Sequence, residues 1–148
     1  SSLRSIKSYA FYNCASITQL SIPPLLTNIE EGTFHGCSSL IQVTIPPSVT
    51  SIGENSFKGC KSLKQITIPP SVTSIGYHAF QYCRSLSQVE ITSPSISIQH
   101  NAFDHCDFLN KNGKMEEKIK KHGNGKKSNA LLYCLLILLG LIFAIKRK

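Results

Sequence analysis

Cys37–Gly59 reads CSSLIQVTIPPSVTSIGENSFKG, and Cys60–Tyr82, which follows directly, reads CKSLKQITIPPSVTSIGYHAFQY. The two stretches are equal in length and place apolar side chains at the same positions. The interval of 23 residues also separates Cys14 from Cys37, Cys60 from Cys83 and Cys83 from Cys106. Three residues before each cysteine stands a phenylalanine: Phe11, Phe34, Phe57, Phe80 and Phe103. A fixed period of this length marks a solenoid of stacked units.

Counted from the cysteine, apolar residues return at offsets 3, 6, 8, 12, 15 and 20. In the Cys60 unit these are Leu63, Ile66, Ile68, Val72, Ile75 and Phe80; in the Cys14 unit, Ile17, Leu20, Ile22, Leu26, Ile29 and Phe34. So short a unit cannot bury that many apolar side chains alone, but it can do so against like neighbours. The segment ending in Ile66 and Ile68 alternates inward and outward, as a short strand does. Pro69 and Pro70 stop it, because proline has no N–H to donate to a ladder. The V-T-S-I-G run predicts a second short extended piece that turns at Gly53 or Gly76, where glycine supplies permissive backbone. The stretch through A-F-x-x-C is too short for an α-helix and predicts a turn or one 3₁₀-like turn. The expected fold is a β-rich solenoid of parallel strands.

The motif I-P-x-x-V-T-x-I-G-x-x-A-F-x-x-C-x-x-L resembles the BspA-like leucine-rich repeats found in surface antigens of bacteria and protist parasites. The resemblance runs from Ser1 to about Leu109 over four complete periods. It implies a curved leucine-rich-repeat coil used for adhesion and binding, without enzymatic activity. The units fall at 14–36, 37–59, 60–82 and 83–105, after a partial unit at 1–13 and before a cap reaching 109.

Both edges depart from the pattern. In the last unit Thr92 and Ser93 replace the proline pair, Pro94 follows one place late, and Gln99 replaces the glycine. Terminal repeats are often atypical because they cap the stack. At the other end Ser1 already sits at offset 10, with Leu3, Ile6, Ala10 and Phe11 in register. The array is therefore expected to continue upstream, and the lack of a signal peptide carries no meaning.

Cysteines at equivalent positions stack about one strand spacing apart, ~4.8 Å, a Cα separation that permits a disulfide. Their side chains would point the same way, however, and five is an odd number. The reading preferred for them is a ladder of small buried thiols filling the core. Disulfide stapling and metal binding are the alternatives, the latter without any CxxC or HxxxH spacing.

Charge divides the chain. Residues 1–109 hold six basic and six acidic side chains, so the formal +8 comes wholly from residues 110–148, with ten Lys or Arg against Glu116 and Glu117. The basic pI is thus no argument for a nucleic-acid groove on the repeats, and no nucleic-acid partner is expected. Residues 130–145, ALLYCLLILLGLIFAI, carry no charge and show no polar face. As a helix they would span about 24 Å, somewhat short of a ~30 Å hydrocarbon core, with Lys127 and Lys146 able to snorkel. They are expected to form a single transmembrane α-helix, followed by a short basic tail at 146–148. Residues 110–129, rich in Lys, Asn and Gly, read as a basic flexible stalk.

Orientation is pulled two ways. Seven lysines in 110–129 against Lys146, Arg147 and Lys148 favour a cytoplasmic stalk on a literal positive-inside count. The resemblance implies the reverse, with repeats outside a plasma membrane crossed once and a short basic cytoplasmic end. Repeats outside is the expected arrangement; the alternative is a tail-anchored intracellular scaffold facing the cytosol.

No nucleophile–base–acid set and no phosphate-binding glycine loop occurs, so no catalytic residue, cofactor or metal site is expected. His100, Asp104, His105, Cys106 and Asp107 cluster in the last unit, but His100-x4-His105 is not a standard zinc pair. His35 and His78 fall at outward positions.

The informative polar column is the outward face of the main strand. Offset 5 is Gln19, Gln42, Gln65 and Gln88; offset 7 is Ser21, Thr44, Thr67 and Glu90; offset 4 includes Lys64. These amides could form a hydrogen-bonded ladder along the coil axis. That structural ladder is the preferred reading; meeting a partner is the alternative, and the resemblance points to this face for that role. Neutral amide and hydroxyl chemistry suits a protein backbone or a glycan on a host or neighbouring cell. The expected function is a membrane-anchored cell-surface binding protein.

Overall fold

The computed structural model describes residues 3–107, and these form a solenoid built from two parallel sheets. The first holds β1 (Gln19–Ser21), β3 (Gln42–Thr44), β5 (Gln65–Ile68) and β7 (Gln88–Ile91) in that order. The second holds β2 (Asn28–Ile29), β4 (Ser51–Ile52), β6 (Ser74–Ile75) and β8 (Ser97–Ile98). Register follows the sequence period: Gln19 pairs with Gln42, Gln42 with Gln65 and Gln65 with Gln88. The parallel-strand solenoid expected from the period is therefore what forms. The proposed stalk and membrane helix lie outside the described residues.

A third side closes each coil. Its turns bond within themselves, as Cys37 N–H to the Phe34 carbonyl at 3.2 Å and Cys60 N–H to Phe57 at 3.2 Å. They also donate forward to the next coil, Phe34 to Ser56 at 2.8 Å, Phe57 to Ala79 at 2.8 Å and Phe80 to Ala102 at 2.7 Å. This keeps buried backbone groups partnered without a helix, and turns rather than 3₁₀ segments occupy the stretch. Two left-handed residues bracket each turn. Gly32 and Gly36 have φ of 58° and 77°, and Asn55 and Gly59 have 53° and 73°. Gly, Asn and His accept this region more readily than branched residues.

The core is a set of columns. Phe34, Phe57 and Phe80 are fully buried. From Phe11 to Phe103 successive rings lie 5.4, 5.3, 5.3 and 5.0 Å apart between centroids, with interplanar angles no larger than 20°. Leu40, Leu63 and Leu86, with Ile52 and Ile75, bury alongside.

The five cysteines among the described residues have free thiols and are more than filler. Cys37, Cys60, Cys83 and Cys106 each donate S–H to the phenylalanine carbonyl one coil back, at 3.2, 3.3, 3.2 and 3.1 Å. Cys14 is half-buried.

Gly53 and Gly76 are needed for a reason other than turning, since their φ is not positive. A Cβ at Gly53 would lie 2.7 Å from the Ile29 carbonyl oxygen, and one at Gly76 would lie 2.6 Å from the Glu54 nitrogen. Glycine lets consecutive coils close here, where Gly53 N–H bonds Ile29 at 2.7 Å and Gly76 N–H bonds Ile52 at 2.8 Å. In the atypical last unit, Thr92 supplies the N–H that proline lacks elsewhere and bonds the Ile68 carbonyl at 3.1 Å. Ile96, one place beyond the expected offset, fills the core position left by the exposed Ser95.

Candidate functional site

Alternation along β1, β3, β5 and β7 turns Leu20, Val43, Ile66 and Val89 toward the core and their neighbours away from it. Gln19, Gln42, Gln65 and Gln88 are all exposed and stand in one register column. Ser21 and Thr44 pair beside them, and Thr67 pairs with the half-buried Glu90. Lys64 is exposed immediately before β5. Eight of the nine sequence-predicted residues thus occupy outward positions of these strands, and Lys64 borders them.

At the second sheet some hydroxyls are tied along the coil axis: beside the strands, Thr50 donates to the Thr27 carbonyl and Thr73 to the Thr50 carbonyl, both at 3.2 Å, and in β4 Ser51 donates to Asn28 Oδ1 at 2.9 Å. On and beside the first sheet, Thr67 Oγ1 donates to Glu90 Oε2 at 3.3 Å and Ser87 Oγ to the Lys64 carbonyl at 3.3 Å. Among the described residues the four glutamine amides form no ladder with one another. Each amide therefore keeps its donor and acceptor capacity for water or a partner.

The turn side carries an aromatic surface that periodic reading passed over. Tyr9, Tyr12 and Tyr77 are exposed, and the Tyr9 ring covers Gly32 while its hydroxyl donates to Glu31. That hydrogen bond raises the Tyr9 phenol above its ordinary range. Tyr12 meets His35 edge-on at 5.0 Å, and burial, with Lys58 nearby, lowers the His35 imidazole. These side chains recur in no single column, so the period gives no signal for them.

The polar cluster of the last coil is dispersed. Cys106 turns inward to Phe80, the Asp104 carbonyl accepts Tyr82 N–H at 2.9 Å, and His105 stacks on Tyr82 at 4.7 Å. Among the described residues, no three His, Cys, Asp or Glu side chains gather as a metal would require.

The repeat geometry matches known proteins. The family model described as "BspA type Leucine rich repeat region" matches residues 1–124 in six copies. A leucine-rich repeat protein of T. pallidum superposes with a TM-score of 0.65 at 30% identity over 69% of this chain and 48% of its own. One from Bacteroides ovatus gives 0.61 at 35% identity, over 68% of this chain and 26% of its own. A leucine-rich cell surface protein of Faecalibacterium prausnitzii gives 0.56 at 43% identity, over 58% and 22%. The chain thus spans less than half the length of each. No curated protein matches it.

Proposed function

Because the chain belongs to the BspA-type leucine-rich repeat family, we propose that it is a binding protein of the cell surface, recognising protein or glycan through the β1–β3–β5–β7 face. Repeats of this type typically serve as binding scaffolds rather than catalysts. The observation that carries the reading is the register-locked column Gln19, Gln42, Gln65 and Gln88, exposed and free of mutual hydrogen bonds. Regular backbone behind uncommitted amides forms a pre-organised surface, which lowers the ordering cost of association. The similarity to a cell surface protein supports the location.

Residues 130–145 would anchor the chain through a single transmembrane helix, and 110–129 would hold the repeats away from the membrane. Several copies on one membrane would add avidity. Protease shaving of intact cells tests this arrangement: the repeats should be released without opening the membrane. Protection until lysis would favour the second reading, a tail-anchored scaffold facing the cytosol. That reading draws its support from the seven lysines of 110–129 on a positive-inside count.

A further inference from the structure

Charge on the solenoid is balanced in total but segregated in place. Of the six basic residues in 1–109, four fall between Lys58 and Arg84, while Glu30, Glu31 and Glu54 lie on the turn side of earlier coils. Lys61 and Arg84 occupy equivalent positions of successive coils, just before the strand face, and Lys64 follows three residues after Lys61. Backbone bonds fix the two coils together here: Ser85 N–H to the Lys61 carbonyl at 3.1 Å and Ser87 N–H to Lys64 at 2.9 Å. All three cations are exposed and none forms an ion pair among the described residues. Two carboxylates border the patch. Glu90 is engaged by Thr67, and Asp107 follows Arg84 in the same column, so the cationic stretch ends there.

We infer that this corner, continuous with the glutamine column, binds an anionic glycan, one bearing sulfate or carboxylate groups. The inference rests on the strand-face reading and specifies its ligand. Cations at fixed spacing neutralise a polyanion and steer its approach. Between them Ser62 and Ser85 hold hydroxyls without protein partners among the described residues, and Gln65 and Gln88 present free amides, the donors and acceptors that sugar hydroxyls need. An acidic peptide is the competing occupant, and the polyglutamate arm of the test distinguishes it.

The test uses the full chain with the seven lysines of 110–129 changed to glutamine, which removes their own attraction for polyanions. Its affinity is measured for a highly sulfated glycosaminoglycan, for the same polymer chemically desulfated and decarboxylated, and for polyglutamate. The sulfated polymer should bind far more tightly, with affinity falling as salt rises. Lys61→Gln, Lys64→Gln and Arg84→Gln should each weaken it about fivefold, and together about a hundredfold, at unchanged melting temperature. If the triple variant does not melt cooperatively, the three single variants carry the test. Equal affinity for the two polymers, undiminished binding by the variants, or polyglutamate competing as well as the sulfated chain would each overturn the inference. The strand-face reading fails separately, when Gln42→Ala with Gln65→Ala leaves partner binding intact.

Discussion

The thiol of Cys60 donates to the carbonyl of Phe34, 3.3 Å away and 26 residues earlier in the chain. That carbonyl already accepts the Cys37 N–H at 3.2 Å, so the cysteine of one coil completes the turn of the coil before it. Cysteine and phenylalanine therefore repeat together for one reason: each ring column needs the thiol column to close its backbone. Cys60→Ala removes both the donor and the sulfur volume at a fully buried position. It should cost about 2–3 kcal/mol in urea unfolding. Cys60→Ser keeps a donor and should not rescue fully, because the shorter hydroxyl leaves a void.

The same burial makes the array thiols unreactive. Burial, with the flanking Cys60 and Cys14 thiols, pushes Cys37 up to about 12, and the neighbouring Cys106 and Cys60, with burial, hold Cys83 well above its ordinary range. With Cys134 changed to serine, an aromatic disulfide reagent should label the native chain first at half-buried Cys14. The other four should react only as it unfolds.

A pH dependence follows from Cys37. Its folded pKa is raised, so the folded state favours the neutral thiol. The stability this contributes is fully present below the unfolded value near 9 and is lost as pH rises toward about 12. Chemical denaturation across this window should show falling stability, and Cys37→Ala, already less stable, should show a shallower fall.

Gly53→Ala should destabilise by about 1–3 kcal/mol, because its Cβ would meet the Ile29 carbonyl at 2.7 Å. The backbone cannot yield there without breaking the 2.7 Å bond from Gly53 N–H. A melting curve shows it, and an unchanged midpoint would mean that the coils are less tightly spaced.

Ser56 is fully buried and its hydroxyl has no partner among the described residues, in a column where Ala10, Ala79 and Ala102 stand in other coils. Ser56→Ala removes an unsatisfied polar group. The expected result is a stability equal to or up to about 1 kcal/mol above the parent in the same melts.

The period made the array legible because in-register coils place equal offsets in equal surroundings. Phe57 and Cys60 could thus be assigned to the core from spacing, and Gln42 and Gln65 to one outward face. What spacing could not convey was the direction of contacts along the axis. Gly53 looks like a turn residue in one dimension, and its close approach to Ile29 exists only between coils. The thiol-to-carbonyl bonds are hidden for the same reason. Ile96 was missed because the altered proline segment shifts the inward position by one residue. Tyr9 and Tyr12 fell outside every column, so nothing periodic marked them.

The central claim is that the glutamine column serves a partner rather than the fold, and one double variant tests it. Gln42→Ala with Gln65→Ala, in the full chain, is compared with the parent for melting temperature and for binding to intact target cells. Since these amides make no hydrogen bond to one another, the melting temperature should be unchanged while binding falls at least tenfold. Undiminished binding would contradict the account, and a lowered melting temperature alongside it would make the column a structural ladder after all.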